Sequence, residues 1–127
     1  MVLHALLVED DWLVAAELEA VFGERGFFVT RFSTAEEALV WLAETNRVDV
    51  VITDIRLKGL LSGWDLAERA RVAHPDVSII YATGTSPVSA RQVPRSLYLS
   101  KPYSSAALVT AALKLVSASR DNGSFSG

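Results

Sequence analysis

Along the chain, apolar runs of strand length alternate with stretches in which apolar residues recur every three or four positions. Val2–Val8 is apolar apart from His4 and reads as a first strand. Val14, Leu18, Val21 and Phe22 then fall at i, i+4, i+7 and i+8, one face of a helix that Gly23 or Gly26 terminates. Phe27–Phe32 is a second strand. Ser33 with Glu36, or Thr34 with Glu37, offers a capping box to a helix whose inner stripe is Ala35, Ala38, Leu39 and Leu42. Val48–Thr53 forms a third strand, and Leu66, Ala70 and Ala73 mark a helix closed by Pro75. Val77–Ala82 and Ser96–Leu99 complete the strands, and a last helix is expected from about Ser104 to Ser119.

Strands alternating with helices predict a parallel sheet covered on both faces. The fold class is therefore α/β, a flavodoxin-like (βα)5 doubly wound sheet with strand order 2-1-3-4-5. Its fourth helix is expected to be short or irregular. Ser86 and Pro87 can start one, but Pro94 disfavours helical geometry at Val93, so residues 85–95 are expected to be the least ordered internal segment. Residues 1–119 form one domain and 120–127 a flexible tail.

With 127 residues, half of them hydrophobic, the chain can bury a substantial core. Its net charge of −3 and lack of a basic run argue against nucleic acid as a partner. It has no Cys, which excludes disulfides, thiol catalysis and thiolate metal sites. The start lacks the basic segment of a signal peptide, and no apolar stretch reaches the length of a membrane span. A cytoplasmic, soluble protein is expected.

The candidate chemistry lies at the strand ends, since ligands of open parallel sheets bind beyond the carboxyl edge where the strand order switches. Strand one exits into Glu9, Asp10 and Asp11, and strand three into Asp54. Strand four exits into Thr83 and strand five into Lys101. Clustered carboxylates repel, so a cation should join them. Oxygen ligands without His or Cys select a hard ion, Mg²⁺ with retained waters. Beside such an ion Asp54 can face a phosphoryl group and act as nucleophile toward phosphorus. Lys101 and Thr83 are placed to hold phosphoryl oxygens. Asp11 has two readings, a member of this pocket or an N-cap for the following helix.

The pieces "LLVEDD", "VVITDIRL", "IIYATG" and "LYLSKPY" follow one another in an order that resembles the receiver domain of two-component response regulators, from Leu3 to about Val116. The resemblance implies that Asp54 is the phosphoacceptor, with Thr83 and Lys101 at the phosphoryl group. It implies that Asp10, Asp54 and the Arg56 backbone carbonyl bind Mg²⁺ directly, Glu9 through water, with Asp11 as a possible outer neighbour. Tyr98 matches the family's switch aromatic, and the Lys101–Pro102 bond is expected to be cis. "YATG" is similar to the "FATG" of stand-alone receivers often served by HWE-type histidine kinases. The chain departs from most receivers in the loop "IRLKGLLSGW", one residue longer and without the usual Pro, and in the short segment 85–95.

A receiver is a phosphoacceptor with at most slow self-dephosphorylation. Its implied partners are a histidine kinase or histidine phosphotransfer protein and an unknown downstream protein, with output by protein contact. A hydrolase of the haloacid-dehalogenase type would need D-x-D at the strand-one exit, where this chain has E-D-D. A flavodoxin would need a Ser/Thr/Gly-rich phosphate loop there. Glu17, Glu19, Glu36, Glu37, Glu44 and Glu68 read as solvated helix faces, His4 and His74 as structural, and the three Trp as packing.

Overall fold

The computed structural model describes residues 2–45, 47–84 and 91–126, with side chains as far as Ser119. Five parallel strands, β1 (Leu3–Val8), β2 (Phe27–Phe32), β3 (Val50–Thr53), β4 (Ser78–Thr83) and β5 (Ser96–Ser100), form one sheet in the order β2-β1-β3-β4-β5. The four helices among the described residues are α1 (Trp12–Glu24), α2 (Ala35–Glu44), α3 (Gly63–Ala73) and α4 (Ser105–Ser126).

Strand alternation sorts the core into two layers. Ala5 and Leu7 of β1 face one side and join Leu18 and Phe22 of α1 and Leu108, Val109 and Ala112 of α4. Leu6 and Val8 face the other and join Ala38 and Leu42 of α2 and Leu66, Ala67 and Ala70 of α3. β3 and β4 are buried along their whole length, which is why they read as unbroken apolar runs.

Of the two capping boxes available to α2, the chain uses Thr34, whose Oγ1 accepts the Glu37 amide and donates to the Glu37 carboxylate. That choice releases Glu36 for another contact. α1 runs through Gly23, and the chain turns at Gly26, whose φ of 88° suits glycine. α4 continues to Ser126, past the expected end near Ser119. No proline interrupts that stretch, and an established helix gains one backbone hydrogen bond per added residue. The expectation for residues 85–95 falls, over 85–90, outside the described residues; Arg91 to Arg95 form a turn and bends with no helix.

α3 begins with a full capping box. The Ser62 hydroxyl accepts the Asp65 amide, and the Asp65 carboxylate accepts the Ser62 amide at 2.8 Å. The Ser62 amide, and then Arg91, hold the Asp65 carboxyl down to about 2. A depressed carboxyl contributes stability that is full above its ordinary 3.8 and is lost as pH falls toward the folded value. Asp65→Ala should therefore cost about 1 kcal/mol at neutral pH. In urea unfolding, the gap from wild type should narrow as pH falls from about 5 to about 3; a gap that stays constant would contradict the carboxylate's role.

Candidate functional site

The sheet brings four strand ends together. β1 and β3 are neighbours with Val8 opposite Thr53, so the next residues, Glu9 and Asp54, leave the sheet side by side. The Glu9 amide donates to the Phe32 carbonyl and the Asp54 amide to the Val8 carbonyl, which ties both exits to the sheet edge. Thr83 ends β4 opposite Ser100 of β5, and the Lys101 amide donates to the Thr83 carbonyl at 2.9 Å. From there the Lys101 side chain crosses the edge. Its Nζ lies 3.4 Å from Glu9 Oε1 and 3.4 Å from Asp54 Oδ2. The Lys101–Pro102 peptide is cis, as expected.

Each carboxylate has one oxygen engaged by backbone and one turned to the ammonium. Asp54 Oδ1 accepts the Ile55 amide at 2.6 Å, leaving Oδ2 toward Lys101. Glu9 Oε2 accepts the Asp11 amide, leaving Oε1 toward Lys101. Both contacts to Nζ exceed the 2.7–2.9 Å common in charge-assisted hydrogen bonds. The ammonium sits between two acids without closing on either.

Glu9 is buried, and burial pushes its carboxyl up. The Asp11 amide and Lys101 pull it down, while Asp54 and a hydrogen bond with Asp10 push it up again. Burial alone would lower Lys101, but Glu9 and then Asp54 more than reverse that, so it stays a cation. Two carboxylates therefore flank one lysine, and a third, Asp10, adjoins Glu9. That excess of negative charge favours a further cation, and every donor is oxygen. Among the described residues, no three His, Asp or Glu side chains are drawn together closely enough to hold an ion unaided. A hard ion held by these few carboxylate oxygens would keep most of its shell as other oxygens, and Mg²⁺ commonly retains several waters.

Asp11 serves as N-cap of α1, its carboxylate accepting the Leu13 and Val14 amides at 3.0 and 3.4 Å. Asp10 is half-buried and the Arg56 side chain is exposed. Thr83 is fully buried. Tyr98 is half-buried in register with Tyr81, on the α2–α3 side of the sheet. Alternation from Tyr81 puts Thr83 on that same side. Of the three Trp, Trp41 and Trp64 pack, against Phe32 and Tyr81 respectively, whereas Trp12 is 72% exposed next to the acids.

Three further residues at or near the site carry no signal in the hydrophobic pattern. Tyr103, whose phenol is pushed up by burial, helps line a cavity of about 300 Å³ with Lys101, Val14, Leu18 and Ser105. Gly63 opens α3 against the backbone of Asp54. Glu36 accepts the amides of Leu60 and Leu61 in the loop after Asp54, and these bonds, the Leu60 amide first, hold its carboxyl low.

The family model of the response regulator receiver domain matches residues 5–113. The chain is similar to the transcriptional regulatory protein AruR of Pseudomonas aeruginosa, 35% identical over 124 residues that cover 91% of this chain and 50% of that protein. It is 29% identical over 110 residues to the C4-dicarboxylate transport transcriptional regulatory protein DctD of Rhizobium meliloti, covering 84% of this chain and 24% of that protein. The chain thus spans half or less of the length of these curated relatives. Among solved structures, a response regulator receiver protein from Sinorhizobium medicae superimposes with a TM-score of 0.89 at 32% identity, covering 93% of this chain and 97% of that one. A CheY-like receiver from Methanospirillum hungatei gives 0.85 at 20% identity over 96% of this chain and 99% of that one, a likeness of fold.

Proposed function

Because the chain belongs to the response regulator receiver domain family, we propose that it accepts one phosphoryl group on Asp54, from a histidine kinase or histidine phosphotransfer protein, and signals by protein contact. One observation carries the reading: Asp54 leaves β3 with Oδ1 engaged and Oδ2 turned to the Lys101 ammonium, 3.4 Å away. Oδ2 attacks phosphorus, an O–P bond forms, and the donor's P–N bond breaks with its imidazole leaving. A small acyl phosphate loses a carboxylate in the same way.

The chain's own residues do the rest. The Ile55 amide fixes the Asp54 rotamer. Lys101, held loosely between two acids, can follow the negative charge onto the phosphoryl oxygens without leaving Glu9 wholly unpaired. The Thr83 hydroxyl stands for another oxygen, and Tyr98, on the same side of the sheet, for the switch that passes the change outward. Asp10, Asp54, the Arg56 carbonyl and, through water, Glu9 would hold Mg²⁺, with Asp11 in an outer place. Bound there, Mg²⁺ would neutralise charge on the carboxylates and the incoming phosphoryl group. Among the described residues no helix is long and apolar enough to cross a membrane.

The test is intact-mass measurement after incubation with acetyl phosphate. With Mg²⁺ a single phosphoryl adduct should accumulate, and with chelator none. Equal adduct in chelator would overturn the mechanism.

A further inference from the structure

The loop from Ile55 to Ser62 is tied at two places. At its base the Gly63 amide donates to the Ile55 carbonyl at 2.8 Å, closing the excursion just after Asp54. At its tip the chain meets the start of α2, where Lys58 bridges to Thr34 in parallel register. There a single oxygen, Glu36 Oε2, accepts the Leu60 amide at 2.7 Å and the Leu61 amide at 3.3 Å.

The loop backbone is shaped around that carboxylate. Gly59 has φ of 94°, and a Cβ built on it would lie 2.8 Å from both Glu36 oxygens, so a side chain there would collide with the carboxylate. Leu57 and Leu61 pack into the α2–α3 layer, whereas Leu60 is 95% exposed. The tip therefore gains little from burying Leu60, and beyond the Lys58–Thr34 bridge the two amides on Glu36 are its polar hold. Arg56 lies between the closed base and this hold.

We infer that Glu36 is a positioning residue of the Asp54 site, holding the loop that carries Arg56 so that its backbone can take part in cation binding. The inference rests on the reading of Asp54 as phosphoacceptor beside a bound cation.

The experiment compares wild type, Glu36→Ala and Glu36→Gln by Mg²⁺ titration of Trp12 fluorescence, amide hydrogen exchange over residues 55–61, and thermal unfolding. Both amides share one oxygen, so Glu36→Gln keeps an acceptor for each. The expected result is Mg²⁺ half-saturation about tenfold higher in Glu36→Ala and within about twofold of wild type in Glu36→Gln, the size usual for groups that orient metal ligands. Exchange at Leu60 and Leu61 should quicken in Glu36→Ala only. Wild-type Mg²⁺ affinity in Glu36→Ala, whatever its melting temperature, would overturn the inference, as would an equal loss in Glu36→Gln. A wild type that binds Mg²⁺ but accumulates no adduct sinks the phosphoacceptor reading alone, because titration and exchange need no phosphoryl transfer.

Discussion

Asp54→Asn should abolish phosphoryl uptake while leaving the fold within about 1 kcal/mol of wild type. The amide has nearly the shape of the carboxylate, and its oxygen can still accept the Ile55 amide, so the strand exit keeps its geometry. What disappears is the negative oxygen facing Lys101, and a neutral amide is a poor nucleophile toward phosphorus. Two electrostatic consequences oppose each other. Lys101 loses one of its two partners, while buried Glu9, which burial first and Asp54 among others push up, loses a repelling neighbour. At neutral pH the first destabilises and the second stabilises, and a half-buried ammonium at 3.4 Å supplies neither with a large term. Intact mass after acetyl phosphate treatment, beside a urea melt, reads both halves. An adduct of wild-type stoichiometry on the variant would move the phosphoacceptor elsewhere, Asp10 being the next acid at this edge.

That prediction uses the part of the site that is legible in sequence. Strands buried on both faces leave no ambiguity of period: β3 and β4 announce themselves as apolar runs, and each run ends at the sheet edge. Glu9, Asp54, Thr83 and Lys101 could therefore be placed at one edge from strand order alone, and the structure brings Glu9, Asp54 and Lys101 into contact. The strand bounds shift by a residue or two: β3 begins at Val50, although the Asp49 amide still donates to the His4 carbonyl at 2.8 Å and the Asp49 carbonyl accepts the Ser78 amide at 3.1 Å. The Asp49 carboxylate also accepts the His4 amide at 2.7 Å.

Other assignments needed three dimensions. Glu36 sits four residues after Phe32 among other acids on an exposed helix start, and nothing within a helical turn distinguishes it from Glu37. Its partners are 24 and 25 residues away in sequence. Arg91 likewise meets Asp65 and Glu68 of α3 at 2.8 Å, 26 and 23 residues away in sequence. Asp11 is the reverse case. Its reading as an N-cap is a rule about the next three residues, and the amides of Leu13 and Val14 meet that rule locally. Contacts that close within one turn can be read from spacing; contacts set by how two loops pack cannot.

Gly63 belongs to the second kind, and Gly63→Ala should destabilise the fold more than Asp54→Asn or Asp65→Ala. By helix propensity alone the change should help, since alanine exceeds glycine by about 1 kcal/mol inside a helix. Packing reverses the sign. A Cβ on Gly63 would stand 2.1 Å from the Asp54 carbonyl oxygen, 2.9 Å from Ile55 Cα and 3.0 Å from the Asp54 carbonyl carbon. All three are backbone atoms of the β3 exit, which is tied to β1 through the Asp54 amide and to Gly63 itself through the Ile55 carbonyl. No flexible side chain can swing aside, so either α3 or the Asp54 backbone must move by more than about half an ångström. Overpacking of this sort costs about 1–3 kcal/mol and more where only backbone can yield. Gly63→Ala should therefore lose at least about 2 kcal/mol in urea unfolding, net of the propensity gain. If the displaced element is the strand exit, phosphoryl uptake should fall in the fraction that remains folded, because Asp54 Oδ2 moves off Lys101. Stability equal to or above wild type would mean that propensity outweighs the contact, and that α3 or the strand exit yields at little cost.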